Sequence, residues 1–184
     1  MGRNCVKLFR RSLWVFHVNS GGCNGCDIEL LNVFAPYQDT ERFGVKLVGS
    51  PRHADAIALT GPITREALPR VVRAFQAVPD PKVVIAIGSC ACGGGIWYDS
   101  HAVVGGVGKF YELLRERYGV EPPLTVYVPG CPPKPEAIIH GICVLRGVVK
   151  QKQVASYYTE EKAPEIPKEL LGVPSFEVRR VRGV

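Results

Sequence analysis

The residues best equipped for chemistry in this chain are its cysteines, at positions 5, 23, 26, 90, 92, 131 and 143. Cys23-Asn24-Gly25-Cys26 puts two thiols at the ends of a tight turn, a spacing that lets both reach one metal centre. Gly21, Gly22 and Gly25 give that turn backbone angles other residues resist. Gly88-Ser89-Cys90 and Gly130-Cys131-Pro132-Pro133 each add one more thiol. Thiolates bind soft metals, and four of them suit a [4Fe–4S] cluster.

Thiols so far apart in sequence need a scaffold that gathers them. Leu13 to Val18, Val45 to Val48, Ala56 to Leu59, Val83 to Ile87 and Thr125 to Val128 are short apolar runs, rich in β-branched residues, and read as five strands. Between them lie helix-like stretches. One runs from about Asp27 to Phe34. The next opens at Pro62 or Thr64 and carries Ala67, Leu68, Val71, Val72 and Phe75 at helical spacing. A longer loop then leads to a helix around Gly108 to Tyr118. The last helix opens at Pro133 or Lys134 and runs to about Lys150. Alternating strands and helices predict an α/β fold with a mostly parallel sheet covered on both faces. In that fold Cys23 and Cys26 follow the first strand, Cys90 and Cys92 the fourth, and Cys131 the fifth. All stand at the carboxyl edge, where open α/β sheets bind ligands.

The same thiols fit two plainer readings. A structural Zn(Cys)₄ site uses identical ligands, although zinc knuckles pair two Cys-x-x-Cys turns. A lone Cys-x-x-Cys is also a redox pair. Cys90 directly follows Gly88-Ser89 and is preferred over Cys92, a neighbour able to substitute for it. Cys143 lies among Ile138, Ile139, Ile142 and Leu145 and reads as a small core residue; Cys5 has no partner. Helix starts after Cys26 and Cys131 are expected to aim backbone N–H groups at an anionic centre. Cys131-Pro132 is also similar to the Cys-Pro ending of ferredoxin motifs, where proline shields a cluster.

Composition narrows the role further. The 184 residues are 46% hydrophobic and 22% charged, an ordinary globular mix, and no run approaches the roughly 18 apolar residues of a membrane span. The net charge of +6 comes from scattered basic residues, which argues against nucleic acid. Arg10-Arg11-Ser12-Leu13-Trp14 is similar to a twin-arginine export signal but lacks the apolar segment such a signal needs, so a cytoplasmic protein is expected. Seven cysteines in that compartment point to metal or redox work, not disulfides. Gly105-Gly106-Val107-Gly108-Lys109 fails as a phosphate loop, because Phe110 stands where Ser or Thr must bind magnesium. His17, His53, His101 and His140 are scattered and read as structural or solvated. Residues 1–11 form an N-terminal segment, 12–150 the main domain, and 151–184 an extended basic tail.

Taken together, His17-Val18-Asn19-Ser20-Gly21-Gly22-Cys23-Asn24-Gly25-Cys26-Asp27-Ile28-Glu29, Gly88-Ser89-Cys90 and Val128-Pro129-Gly130-Cys131-Pro132-Pro133-Lys134-Pro135-Glu136 resemble the small subunit of energy-converting, membrane-bound (group 4) [NiFe] hydrogenases, a family related to the cluster-bearing 20 kDa-type subunit of respiratory complex I. Arg42 to Pro62 is similar to the same family, and the likeness spans roughly residues 12–150.

The resemblance implies a flavodoxin-like fold and one [4Fe–4S] cluster, proximal to the active site, on Cys23, Cys26, Cys90 and Cys131. It also marks Glu29 for proton handling; a solvated first-turn glutamate is the plainer reading. The implied partners are a hydrogenase-like large (catalytic) subunit with the nickel–iron centre, a ferredoxin-like multi-cluster subunit and membrane antiporter-like subunits, with ferredoxin as donor. The implied place is the cytoplasmic side of the membrane, in the peripheral arm of the complex, where the complex would reduce protons to H₂ and pump ions. Complex I carries adjacent cysteines where this chain has Cys23 and Cys26 separated by two residues, which favours the hydrogenase branch. Related archaeal complexes reduce sulfane sulfur, and a quinone-linked complex is the remaining alternative.

Overall fold

The computed structural model describes Phe9 and residues 11–149. Cys5, the rest of the N-terminal segment and the basic tail of 151–184 lie outside the described residues. Five parallel strands form the main sheet: β1 (Leu13–Asn19), β2 (Val45–Val48), β3 (Ala56–Thr60), β5 (Val83–Ile87) and β7 (Leu124–Val128), in the order β2-β1-β3-β5-β7. This is the expected flavodoxin-like α/β arrangement, with strand boundaries within a residue or so of those read from the apolar runs.

Alternation along the strands sorts the core into two layers, because successive side chains point to opposite faces. On β5, Val83, Ile85 and Ile87 join Leu30 and Val33 of α1 (Gly25–Val33) and Ile138, Ile142 and Leu145 of α5 (Pro135–Leu145). Val84 and Ala86 face the other way, against Val71 and Phe75 of α2 (Leu68–Ala77) and Phe110 and Leu114 of α4 (Val107–Tyr118). Every residue of β3 and β5 is buried, so these central strands had to be continuous apolar runs. Cys143, expected in the core, is only half-buried and does not belong to the buried residues of either layer.

Three features depart from the sequence reading. A small antiparallel pair of β4 (Ile63–Thr64) and β6 (Val103–Gly105), with Ile63 opposite Gly105, occupies residues expected to be helix and loop. The second helix therefore starts at Leu68, not at Pro62 or Thr64; the Thr64 hydroxyl accepts the Ala67 N–H at 3.2 Å just ahead of it. The loop after β5 contains a short helix, α3 (Ser89–Gly93), followed by a 3₁₀ turn over Gly95–Trp97. The final helix is also shorter than expected, beginning at Pro135 and ending at Leu145. Gly141 lets it lie close to β7: a Cβ there would come within 2.7 Å of Val128 Cγ2.

Among the described residues no helix is long and apolar enough to cross a membrane.

Candidate metal centre

All four expected ligands lie beyond the carboxyl ends of strands, on the loops after β1, β5 and β7. The loop after β1 is built by side chains. Asn19 Oδ1 accepts the N–H groups of Gly21 at 2.8 Å and Gly22 at 2.9 Å, folding the chain back on itself. Ser20 is fully buried, and its hydroxyl lies 2.8 Å from Thr60 O, 2.9 Å from Gly61 O and 3.2 Å from Pro62 O. That contact pins the cysteine turn to the loop after β3. Gly22 and Gly61 meet so closely there that a side chain on Gly61, itself at φ 78°, would strike the Gly22 backbone. Asn24, at φ 67°, leads into α1, which carries Cys26 in its first turn.

Asp27 then anchors α1 to the sheet. Its carboxylate accepts hydrogen bonds from Thr60 Oγ1 and Asn19 Nδ2, and its Oδ1 lies 2.9 Å from His17 Nε2. His17 is thus structural, as expected, and is tied to the cysteine turn through this carboxylate. Asp27, Asn19, Ser20 and Thr60 fall within segments that carry the family resemblance, but the sequence gives none of them a role of its own. Their partners are up to forty-four residues away, so only the fold reveals them.

The loops after β5 and β7 are joined by main chain. Gly88 N–H donates to Val128 O and Ser89 N–H to Gly130 O, both at 2.8 Å. The Ser89 hydroxyl donates to Gly130 O at 3.2 Å and accepts Gly130 N–H at 3.3 Å. Cys90 lies in the first turn of α3. Cys131 does not begin a helix: it sits in the connection leading to α5, which opens only at Pro135. Of the two expected helix starts, one falls within the Cys-x-x-Cys turn, at Gly25, and the other is displaced away from Cys131.

The three loops meet. A Cβ on Gly25 would lie 3.6 Å from Cys23 Sγ and 3.8 Å from Pro132, which brings the Cys-x-x-Cys turn against the loop of Cys131. A Cβ on Gly88, at φ 91°, would collide with Cys26 Sγ, and one on Gly95 would stand 2.7 Å from Cys90 Sγ. Burial, then the charges of Cys90, Cys23, Asp27 and Cys131, push the Cys26 thiol from its ordinary 9.0 up to about 11. Burial, then Cys131 and Cys23, push Cys90 upward too. Each sulfur thus makes ionisation of its neighbours harder, which shows that the cysteines of all three loops lie close enough to feel one another's charge.

Cys92 belongs elsewhere. Lying on α3, it is half-buried, its Sγ is 3.6 Å from Ala86 O, and burial raises its thiol to about 11. Cys23 and Cys131 are exposed, while Cys26 and Cys90 are half-buried, so the centre opens to one side. Among the described residues no three His, Cys, Asp or Glu side chains are gathered around a single-ion site.

Residues 23–145, which hold every one of these four cysteines, match the family described as NADH ubiquinone oxidoreductase, 20 Kd subunit. The chain belongs to that family. It is 48% identical to the probable membrane-bound hydrogenase subunit mbhJ of Pyrococcus furiosus, over 86% of this chain and 86% of the relative. It is 42% identical to formate hydrogenlyase subunit 7 of Escherichia coli, over 83% of this chain but 55% of that protein. Among solved structures, an archaeal membrane-bound sulfane sulfur reductase complex contains a chain 34% identical, with TM-score 0.61, covering 76% of this chain and 71% of that one. A [NiFeSe] hydrogenase from Desulfovibrio vulgaris Hildenborough, 20% identical with TM-score 0.53 over 74% of this chain and 60% of its own, shares the fold. The family resemblance read from the cysteine motifs is therefore correct.

Proposed function

We propose that this chain is the electron-transfer small subunit of a membrane-bound oxidoreductase complex and holds one [4Fe–4S] cluster through Cys23, Cys26, Cys90 and Cys131. The observation that carries this reading is the meeting of three sequence-distant loops at one sheet edge, with glycines wherever a side chain would crowd a sulfur. Such a cluster, when bound, accepts and donates one electron at a time. Gly88 leaves space for Cys26 Sγ and Gly95 for Cys90 Sγ, while Asp27, Ser20 and Asn19 keep the Cys-x-x-Cys turn in position. Pro132 closes over the turn beside Gly25.

Around the open side stand apolar groups that water does not favour: Ile28 is 65% exposed and Ile96 79%, with Leu31 and Trp97 about half-exposed. A rim of this kind marks a surface for a partner. A hydrogenase-like large subunit covering it would exclude water and so tune the centre it faces. The nickel–iron chemistry belongs to that partner, since it needs two Cys-x-x-Cys pairs and this sequence has one. Glu29, half-buried on α1, is the residue this reading assigns to proton handling. The remaining partners in this reading are a ferredoxin-like multi-cluster subunit and membrane antiporter-like subunits, with ferredoxin as the electron source, on the cytoplasmic side of the membrane.

Proton reduction to H₂ is the favoured terminal reaction, in line with the 48% identity to a probable hydrogenase subunit. Sulfane sulfur reduction is the second reading, favoured by the 34% identical chain in a sulfane sulfur reductase. A quinone-linked role is third, since an NADH-quinone oxidoreductase chain of Geotalea daltonii is 40% identical over 70% of this chain. The test of the core proposal is anaerobic purification with iron and sulfide analysis and EPR after reduction. About four of each per chain is expected; colourless, iron-free protein would refute it, and zinc in its place would make the site structural. Feeding the intact complex reduced ferredoxin, then measuring H₂ and sulfide from polysulfide, separates the first two readings.

A further inference from the structure

On the sheet face away from α1 and α5, helices α2 and α4 leave an apolar groove of about 320 Å³, floored by Leu68, Val72, Phe110 and Leu113. It shares Leu68, Leu113 and Arg117 with a wider depression of about 660 Å³ bounded by the segment from Tyr98 to Val104. Four cations border the combined trough: Arg65, Arg73, Lys109 and Arg117. Asp99 is the one carboxylate lining it among the described residues.

The pairing of these cations differs from that of their neighbours. On the same stretch of chain, Arg70 pairs with Glu66 and Arg115 with Glu121, each at 3.6 Å. None of the four bordering the trough forms an ion pair among the described residues. On α2 and α4 the cations without an ion pair, Arg73, Lys109 and Arg117, all border this cavity, while Arg70 and Arg115, which do not line it, are paired. The trough also has a position relative to the metal centre. Lys109 Nζ stands 4.5 Å from the centre of the Tyr98 ring, and Tyr98 packs on Gly94, at the end of the short helix that carries Cys90.

We propose that this trough seats an acidic segment of another polypeptide of the complex, its apolar side chains in the α2–α4 groove and its carboxylates on Arg65, Arg73, Lys109 and Arg117. The inference rests on the reading that the chain works inside such a complex. Concave apolar floors with charged borders accept amphipathic segments, whereas binding to a lipid surface needs apolar groups that project outward. Border charges of this kind set orientation and partner choice, and their attraction weakens with salt.

Carbodiimide treatment of the purified native complex, followed by peptide mass spectrometry, tests this directly. An amide between Lys109 and an Asp or Glu of a different subunit is expected, and it should vanish in K109R while assembly persists. The double variant R65E/R117E should release that subunit at a salt concentration at least severalfold lower than the parent complex. Lys109 joined only to carboxylates of its own chain, or an unchanged salt profile in R65E/R117E, would overturn the proposal. So would loss of binding to vesicles rich in anionic phospholipid in R65E/R117E with no inter-subunit amide, which would assign the trough to lipid. Iron content measured on the same samples keeps the two readings apart. A missing amide with iron retained refutes the docking site alone, whereas missing iron refutes the metal centre whatever the amide shows.

Discussion

The two halves of the proposed metal centre are held by different means. The turn of Cys23 and Cys26 hangs on side chains: Asn19 folds it, Ser20 ties it to the carbonyls after β3, and Asp27 fastens α1 to Thr60 and His17. The loops of Cys90 and Cys131 hang on each other's main chain, through the Gly88–Val128 and Ser89–Gly130 hydrogen bonds, with glycine as the essential residue. Side-chain anchoring makes the first half sensitive to single polar replacements. Main-chain anchoring makes the second half tolerant of them and intolerant of added volume.

The largest effect should come from adding volume to the second half. Gly88→Ala introduces a Cβ into the Cys26 sulfur at a backbone angle that L-residues avoid. Nearly complete loss of iron and of the EPR signal is expected with the far-UV circular dichroism retained; full iron content would show that the half is not volume-limited. Cys131→Ser should abolish the signal equally, while Cys143→Ser and Cys92→Ser should keep it. A signal surviving in Cys131→Ser would remove that residue from the ligand set.

Next in size is the polar anchoring of the first half. Ser20→Ala leaves the carbonyls after β3 without their buried donor and should lower unfolding free energy by about 1–3 kcal/mol, measured by urea titration. Asp27→Asn should cost less, about 1 kcal/mol, and loosen α1 while Cys23 and Cys26 still bind. Ser89→Ala should be smallest, about 0.5–1 kcal/mol, because the backbone bond beside it remains. If Ser89→Ala proved more damaging than Ser20→Ala, the contrast between the halves would be reversed.

Protonation sharpens the picture in the metal-free chain. Cys26 and Cys92, both raised to about 11, should alkylate slowly at pH 7 and gain roughly tenfold in rate per pH unit toward pH 10. A plateau near pH 8.5 would contradict the burial that raises them. Because each folded-state value lies above the ordinary 9.0, the thiol form is favoured by folding. That contribution to stability is complete below about pH 9 and is lost as pH climbs through 11.

Much of this was legible in the sequence, for identifiable reasons. Strands β3 and β5 are buried on both faces, so they had to be unbroken apolar runs, and the cysteines betray the site by standing just after such runs. The β4–β6 pair was not legible, since two and three residues carry no periodicity and the strands lie far apart in the chain. Nor was α3, whose Ser-Cys-Ala-Cys-Gly has neither cap nor amphipathic pattern. The anchoring of Asp27 by His17 and Thr60 depends on β1 lying beside β3, a fact of topology that no local window contains.

The order of the loops along the chain bears on how the protein is made. During synthesis the growing polypeptide offers only the Cys23–Cys26 pair until β5 emerges, and the last sulfur follows the last strand of the sheet. A maturation system delivering a preformed inorganic core would find a complete receptor only on a finished fold. On the proposed reading, a chain stalled before Cys131 would lack one of the four ligands, so retention of the core would report that the sheet is complete.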